Sequence, residues 1–436
     1  MTSFFQRKAF TGLALITLLG LGMASCSDDT ESSEAEPTNA NATSTTSASG
    51  DPSEPRTTTQ AETETTATDG DPEAASATAT LRYNQIQVLG SHNSYHLQPA
   101  PDVLQALGVI SKDLADSIEY SHVPLEEQLD TYGIRQFELD VYADPDGARF
   151  ANREALTVLG QDPASGIAEL DQPGFKTLHI QDIDFNSTCI TLIECLTAID
   201  RWSTSNPDHV PIMVMIEVKD QTIEAMIEDE GVDIGSIDLD FAQPVPTDAA
   251  VLDALDDEIR SVISDERLFT PDDLRGDSAD LASVITETGW PTLDELNGKI
   301  LVALVNSGEA RDIYRAPSPV LEGRAMFTSA DPGDPDAAFV RVDDVMEDRA
   351  LVDAAVADGY IVRTRADIPT VEARSGDMTR ANAAFASGAT FVSTDYYAPS
   401  PFDPSYQIAL PHGPGAVCNP VTAPADCPTG DLETLP

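Results

Sequence analysis

Between positions 86 and 393 one pattern recurs: a short apolar, β-branched run that ends in polar or charged residues. Eight such runs are predicted as strands, at 86–89, 136–139, 177–180, 212–218, 300–305, 326–328, 360–362 and 391–393. Stretches with helical periodicity fall between them, at 103–118, 125–132, 190–204, 248–264 and 378–386. Helices lying between strands are what parallel βαβ units require. Eight strands over roughly 310 residues predict an α/β fold, a (β/α)8 TIM-type barrel with long insertions, regular or irregular. The longest insertion is acidic, runs from Gln221 to Gly298, and is punctuated by Pro244, Pro246, Pro271 and Pro291.

In such a barrel the functional groups sit at the C-terminal strand ends, so the polar residues that close each run come first. The first run ends in Gly90-Ser91-His92-Asn93-Ser94-Tyr95-His96. The second carries Glu138 and Asp140, which strand alternation puts on one face. The third ends in Leu178-His179-Ile180-Gln181-Asp182, and the fourth in Glu217-Val218-Lys219, whose charged residues again share a face. Unpaired charge is excluded from a barrel interior, so these carboxylates call for a counter-ion. Glu138, Asp140, Glu217 and the amide oxygen of Asn93 form an all-oxygen set, which favours Ca²⁺ first and Mg²⁺ second. Zinc would want the histidines as ligands. They are better used as acid and base, because imidazole titrates near neutrality.

The rest of the chain sets the context. It has 24 Lys+Arg against 75 Asp+Glu, a balance that excludes nucleic acid as a partner, because phosphate contact needs clustered cations. At the N-terminus, Arg7 and Lys8 precede an apolar stretch from Phe10 to Met23 that meets Ala24-Ser25-Cys26. This is the form of a secretion signal over 1–26, and it resembles a bacterial lipoprotein cleavage box. By that resemblance Cys26 carries lipid and holds the protein to a membrane, on the cell envelope or, without lipid, secreted. Residues 27–80 hold 12 acidic residues and one basic, Arg56, among Ser, Thr and Ala. Such a stretch cannot bury enough apolar surface to offset chain entropy, and it is expected to be a disordered tether reaching roughly 40 Å. The folded part, 81–436, keeps a net charge of −42, so its surface is itself acidic and a saline habitat is expected. With Cys26 assigned to lipid, Cys189 with Cys195 and Cys418 with Cys427 are the natural local disulfides. A monomer is expected.

The constellation resembles the calcium-dependent phosphoinositide phospholipase C family, in its bacterial secreted branch. The matching stretches are Ile86 through His96, Pro124-Leu125 through Gly133 to Asp140, Leu178-His179, Ile216 through Lys219, Gly289-Trp290-Pro291-Thr292 with Asn297-Gly298-Lys299, Val362 through Asp367, and Val392 through Tyr396. Together they span Leu81 to about Pro399. The resemblance implies cleavage of the glycerophosphate bond of phosphatidylinositol-type lipid to diacylglycerol and a cyclic or opened inositol phosphate. The matching positions imply that His92 steadies charge on the phosphorane and that His179 acts as acid–base at the phosphoryl or leaving oxygen. They imply Asn93, Glu138, Asp140 and Glu217 as calcium ligands, with a carboxylate such as Glu138 taking the proton of the attacking hydroxyl. Lys219, Arg363, Arg365 and Tyr396 are the candidates for headgroup contact. Only Lys299 remains of the lysine-rich stretch that holds ring phosphates in eukaryotic members, so an unphosphorylated or glycosylated inositol lipid fits better.

Two other functions remain open at this point. A glycerophosphodiester phosphodiesterase, acting on soluble diesters, shares an E-x-D pair, a second histidine and an E-x-K strand. That class usually opens with His-Arg where this chain has His92-Asn93. A non-catalytic surface lipoprotein that binds headgroups would have no need of an acid–base pair.

Overall fold

The computed structural model describes residues 80–229, 240–368, 370–411, 413–428, 430 and 432–433. The expected signal segment with Cys26, the tether up to residue 79, and His412 lie outside the described residues.

Among the described residues ten strands occur in chain order: β1 Ile86–Ser91, β2 Gln136–Tyr142, β3 Lys176–Thr177, β4 Ile212–Val218, β5 Ile300–Leu304, β6 Phe327–Thr328, β7 Phe339–Arg341, β8 Ile361–Arg365, β9 Phe391–Thr394 and β10 Ala416–Cys418. Eight of them form the parallel path β6-β5-β4-β2-β1-β9-β8-β7. A parallel bridge from Ser329 to Phe339 joins its two ends, so the sheet is a nearly closed eight-stranded barrel. Every residue of β1, β2, β5, β8 and β9 is buried, as expected of strands covered on both faces. The helices Leu192–Ser205, Ala249–Val262 and Arg349–Ala357 supply outer cover through apolar faces that include Leu196, Ile199, Leu252, Leu255 and Val352.

The predicted (β/α)8 barrel is therefore present, with one exchange of strands. The run at 177–180 was expected as the third barrel strand. Of it only Thr177 is in a strand, the two-residue β3 antiparallel to β2, and the chain then turns, with Ile180 bridged to Asp184 and Asp182 at φ 65°. The eighth barrel member is β7, whose three residues are too few to show a period of two in the sequence. The predicted helix at 103–118 is two helices, Pro101–Ile110 and Lys112–Ser117, broken where Ser111 turns extended and its hydroxyl accepts from the Leu114 amide at 3.2 Å.

β1 and β2 touch at one register point, Gly90 opposite Gln136. A Cβ at Gly90 would lie 2.0 Å from Gln136 Oε1, so only glycine lets that side chain through. Below this point the seam splays, and β10 pairs antiparallel with residues 86–88 of β1. The disulfides Cys189–Cys195 and Cys418–Cys427 both form. His209 is buried. Its Nδ1 donates to the Val210 carbonyl at 2.6 Å, and its Nε2 accepts from Ser203 Oγ at 2.7 Å. No helix among the described residues is long and apolar enough to cross a membrane.

Candidate active site

At the C-terminal ends of the barrel strands lies a cavity of about 200 Å³, lined by His92, Asn93, Glu138, Asp140, His179, Glu217, Lys219, Arg341, Asp343, Arg365 and Ile368. The barrel thus brings together both predicted histidines, all four predicted oxygen ligands, Lys219 and Arg365. His179 arrives from the turn after β3 and not from a barrel strand end.

The turn after β1 is built by its serines. Ser91 Oγ donates to Gln128 Oε1 at 2.7 Å, Gln128 Nε2 donates to the Ser94 carbonyl at 2.7 Å, and Ser94 Oγ accepts from the Glu138 amide at 2.8 Å. Ser94 also donates its own amide to the Glu138 carbonyl at 2.8 Å, so the turn is stitched to β2 beside Glu138. Asn93 takes φ 44° in this turn, a left-handed conformation that Asn tolerates better than most side chains. Its Nδ2 donates to the Tyr120 hydroxyl at 3.2 Å, which leaves its carbonyl oxygen as the end available for a cation.

Register then sets the carboxylates. Asp140 on β2 lies opposite Glu217 on β4, and Glu138 stands two residues earlier on the same interior face. One oxygen from each of the three lies within 4.8 Å of the others. Each has a cationic partner: Glu138 Oε2 accepts from Arg363 at 2.5 Å, Asp140 lies 3.2 Å from Lys219, and Glu217 lies 3.0 Å from Lys219 and 3.3 Å from Arg341. Burial raises the Asp140 carboxyl above the usual range despite Lys219. Burial also acts on Glu217, but there Lys219 and Arg341 outweigh it and pull the group down to about 2. Asp140 Oδ1 is buried without a hydrogen-bond partner. Three carboxylates and an amide oxygen, one of them unsatisfied, suit a hard divalent cation.

The two imidazoles are held differently. His92 Nδ1 donates to Asp395 Oδ1 at 2.9 Å, and burial followed by the charge of Arg365 pushes its pKa well below the usual imidazole value. His179 Nδ1 donates to Asp184 Oδ2 at 2.8 Å; burial opposes its charge, but this hydrogen bond and the Asp184 charge more than reverse that and raise it. Asp184 is fully buried and also accepts from His96 Nε2 at 2.8 Å. The ring of His96 packs 4.3 Å from that of Tyr120, and His122 Nε2 donates to the His92 carbonyl at 2.8 Å.

Two predicted headgroup contacts are placed elsewhere. Arg363 is fully buried behind the wall, tied to Glu138 and Asp343. Tyr396 is buried against Phe402 and Tyr406, at ring distances of 6.4 and 5.8 Å. Arg341, Asp343 and Asp184 were not singled out from the sequence. The first two follow from β7, where no strand was recognised. Asp395 was not singled out either, although it closes the apolar run of β9 as His92 closes that of β1, and the strand-end rule could have found it.

Solved structures of similar fold include the calcium-dependent phosphoinositol-specific phospholipase C from a Gram-negative bacterium, Pseudomonas sp, at 16% identity and TM-score 0.47, covering 79% of this chain and 99% of that one. A second is the Ca²⁺-dependent phosphatidylinositol-specific phospholipase C from Streptomyces antibioticus, at 18% identity and TM-score 0.43, covering 75% and 98%. A third is the phosphatidylinositol-specific phospholipase C from Listeria monocytogenes, at 13% identity and TM-score 0.40, covering 74% and 92%. No curated protein matches the chain. A family model described as phosphoinositide phospholipase C, Ca²⁺-dependent, matches residues 81–420, a span that contains every residue lining the pocket. On that match the chain belongs to the calcium-dependent phosphoinositide phospholipase C family, a family of phosphodiesterases.

Proposed function

We propose that this protein cleaves the glycerophosphate bond of phosphatidylinositol-type lipid in a calcium-dependent reaction, releasing diacylglycerol and a cyclic inositol phosphate. The observation that carries the reading is the meeting, in one cavity, of a carboxylate–amide oxygen set with two imidazoles each backed by a buried aspartate. Asn93, Glu138, Asp140 and Glu217 would hold the calcium ion. When bound, it would supply positive charge against the phosphoryl oxygens.

The chain's own groups divide the proton traffic. Asp395 accepts the hydrogen bond of the His92 Nδ1–H, which leaves Nε2 with a lone pair toward the cavity. His92 Nε2 therefore accepts the proton of the inositol hydroxyl as its oxygen attacks phosphorus. This differs from the charge-steadying role implied by the resemblance, which would need a protonated ring. Glu138, the other candidate acceptor, is held by the Arg363 guanidinium. His179, kept charged by Asp184, donates from Nε2 to the departing diacylglycerol oxygen. Arg341, Arg365 and Lys219 line the wall where the anionic phosphate and the ring hydroxyls would sit. Family membership and Asn93 in place of arginine support this reading over a glycerophosphodiester phosphodiesterase.

Export and a lipid anchor at Cys26 complete the proposal, on the sequence pattern of 1–80. Phosphorus NMR of the products from phosphatidylinositol, with calcium and with chelator, tests the reaction. A cyclic phosphodiester resonance that appears only with calcium is expected. Turnover unchanged by chelator, or glycerophosphate as product, overturns it.

A further inference from the structure

The cations around the pocket differ in what holds them. Arg341 pairs with Asp343 at 3.0 Å as well as with Glu217, and Arg363 pairs with Asp343 as well as with Glu138. Arg365 is fixed by Asp395 at 2.8 Å. Each arginine thus has an aspartate partner outside the proposed ligand set. Among the described residues Lys219 has none: its carboxylate partners are Asp140 and Glu217, at 3.2 and 3.0 Å, and both are proposed ligands. Its Nζ stands between two carboxylates that face each other across β2 and β4, where their mutual repulsion needs a positive charge.

We infer that Lys219 is an internal counter-ion which the divalent cation displaces, and that the freed ammonium then meets the phosphodiester. The inference rests on the reading of Glu138, Asp140 and Glu217 as metal ligands. An ammonium and a divalent ion cannot share the same oxygens without strong repulsion, so one must leave. Lysine is suited to leaving. Its charge sits on a flexible four-carbon stem, whereas Arg363 and Arg365 are buried and Arg341 is forked between Asp343 and Glu217. Once displaced, Lys219 has lost both anions at the moment an anionic substrate enters. Metal and phosphodiester therefore favour each other's binding, and the coupling is reciprocal.

The test is calorimetric titration of Ca²⁺ into the full chain and its Lys219→Met, Lys219→Gln and Lys219→Arg variants. Each is run with and without a short-chain, non-cleavable phosphonate analogue of phosphatidylinositol, and circular dichroism reports folding. Removing the ammonium in Lys219→Met or Lys219→Gln is expected to tighten Ca²⁺ binding about tenfold, with Lys219→Arg, which keeps the charge, binding no tighter than wild type. The phosphonate is expected to tighten Ca²⁺ binding in the wild type and to do so much less in Lys219→Met. Equal or weaker Ca²⁺ binding by whichever neutral variant is folded overturns the inference, as does equal coupling to the phosphonate. A wild-type chain that binds no Ca²⁺ removes the calcium reading itself, whereas wild-type binding without tightening in the variants removes only the role of Lys219.

Discussion

Asp184 Oδ2 accepts from His179 Nδ1 at 2.8 Å, and the same carboxylate accepts from His96 Nε2 at 2.8 Å. A fully buried aspartate clasped by two imidazoles cannot turn away from either. It fixes His179 with its second nitrogen toward the cavity and lowers the cost of the charged ring.

The consequence is a direction in the pH profile. His179 is raised above the usual imidazole range and His92 lowered below it, so activity that needs His92 neutral and His179 charged spans the interval between them. In Asp184→Asn the support for the charged ring is lost. The alkaline limb of kcat is expected to move to lower pH while the acid limb stays, with kcat falling about 10²–10⁴-fold. Rate profiles on dispersed short-chain substrate check this; an unmoved alkaline limb contradicts the pairing.

Glu217 is the ligand candidate on β4, and the neighbouring cations hold its carboxyl near 2, so it is ionised at every working pH. Glu217→Gln removes one ligand charge and leaves Arg341 with Asp343. Activity at fixed calcium is expected to fall about 10²-fold or more, with partial recovery at higher calcium. Calcium titration of turnover measures it; a loss that no amount of calcium relieves would place Glu217 outside the metal site.

Arg363 carries a prediction about stability. It is fully buried and neutralises Glu138, which lies 2.5 Å away with 4% of its side chain exposed. Arg363→Met leaves Glu138 buried without its partner, and breaking such a pair costs about 3–5 kcal/mol. Urea unfolding in chelator is expected to show that loss. A variant of wild-type stability would mean that Glu138 is solvated.

Much of this site was legible because barrel geometry converts sequence order into place. A polar residue that closes an apolar run lands at the cavity, and His92, Asn93, Glu138, Asp140, Glu217 and Lys219 all obeyed that rule. His179 reached the cavity although its strand did not form, because the turn at 180–184 delivers it from beside β2. The rest was hidden for physical reasons. β7 has three residues, too short for a periodic signal, so Arg341 and Asp343 went unseen. Asp184 sits in a turn, where sequence spacing carries no face. Arg363 belongs to a strand with charged residues at alternate positions, and only the ion pairs show which of them reaches the cavity.

Away from the site, His209 makes stability depend on acid. Burial lowers its pKa to about 4, and both ring nitrogens are satisfied in the neutral form. The unfolded chain binds this proton from about pH 6.5 downward while the folded chain does not until about 4. The stabilisation is therefore complete above 6.5 and lost as pH falls through that window, by about 3 kcal/mol. Melting temperatures from pH 7 to 4 should fall less steeply in His209→Gln than in the wild type. Parallel curves would assign the acid loss to other groups.

The folded part carries −42 charges, and its cations are largely spent on internal pairs such as Arg363 with Glu138 and Arg365 with Asp395. The excess carboxylates repel one another across the surface, at distances where screening matters, since the Debye length shortens from about 30 Å at 0.01 M salt to about 3 Å at 1 M. Buried pairs are screened far less, so added salt removes repulsion without removing the bonds that hold the cavity. The melting temperature is expected to rise between low salt and molar salt, and activity on anionic vesicles to rise with ionic strength up to an optimum. A melting temperature that is flat across that range, or activity that only falls, would show that the surface charge has no energetic consequence for this fold.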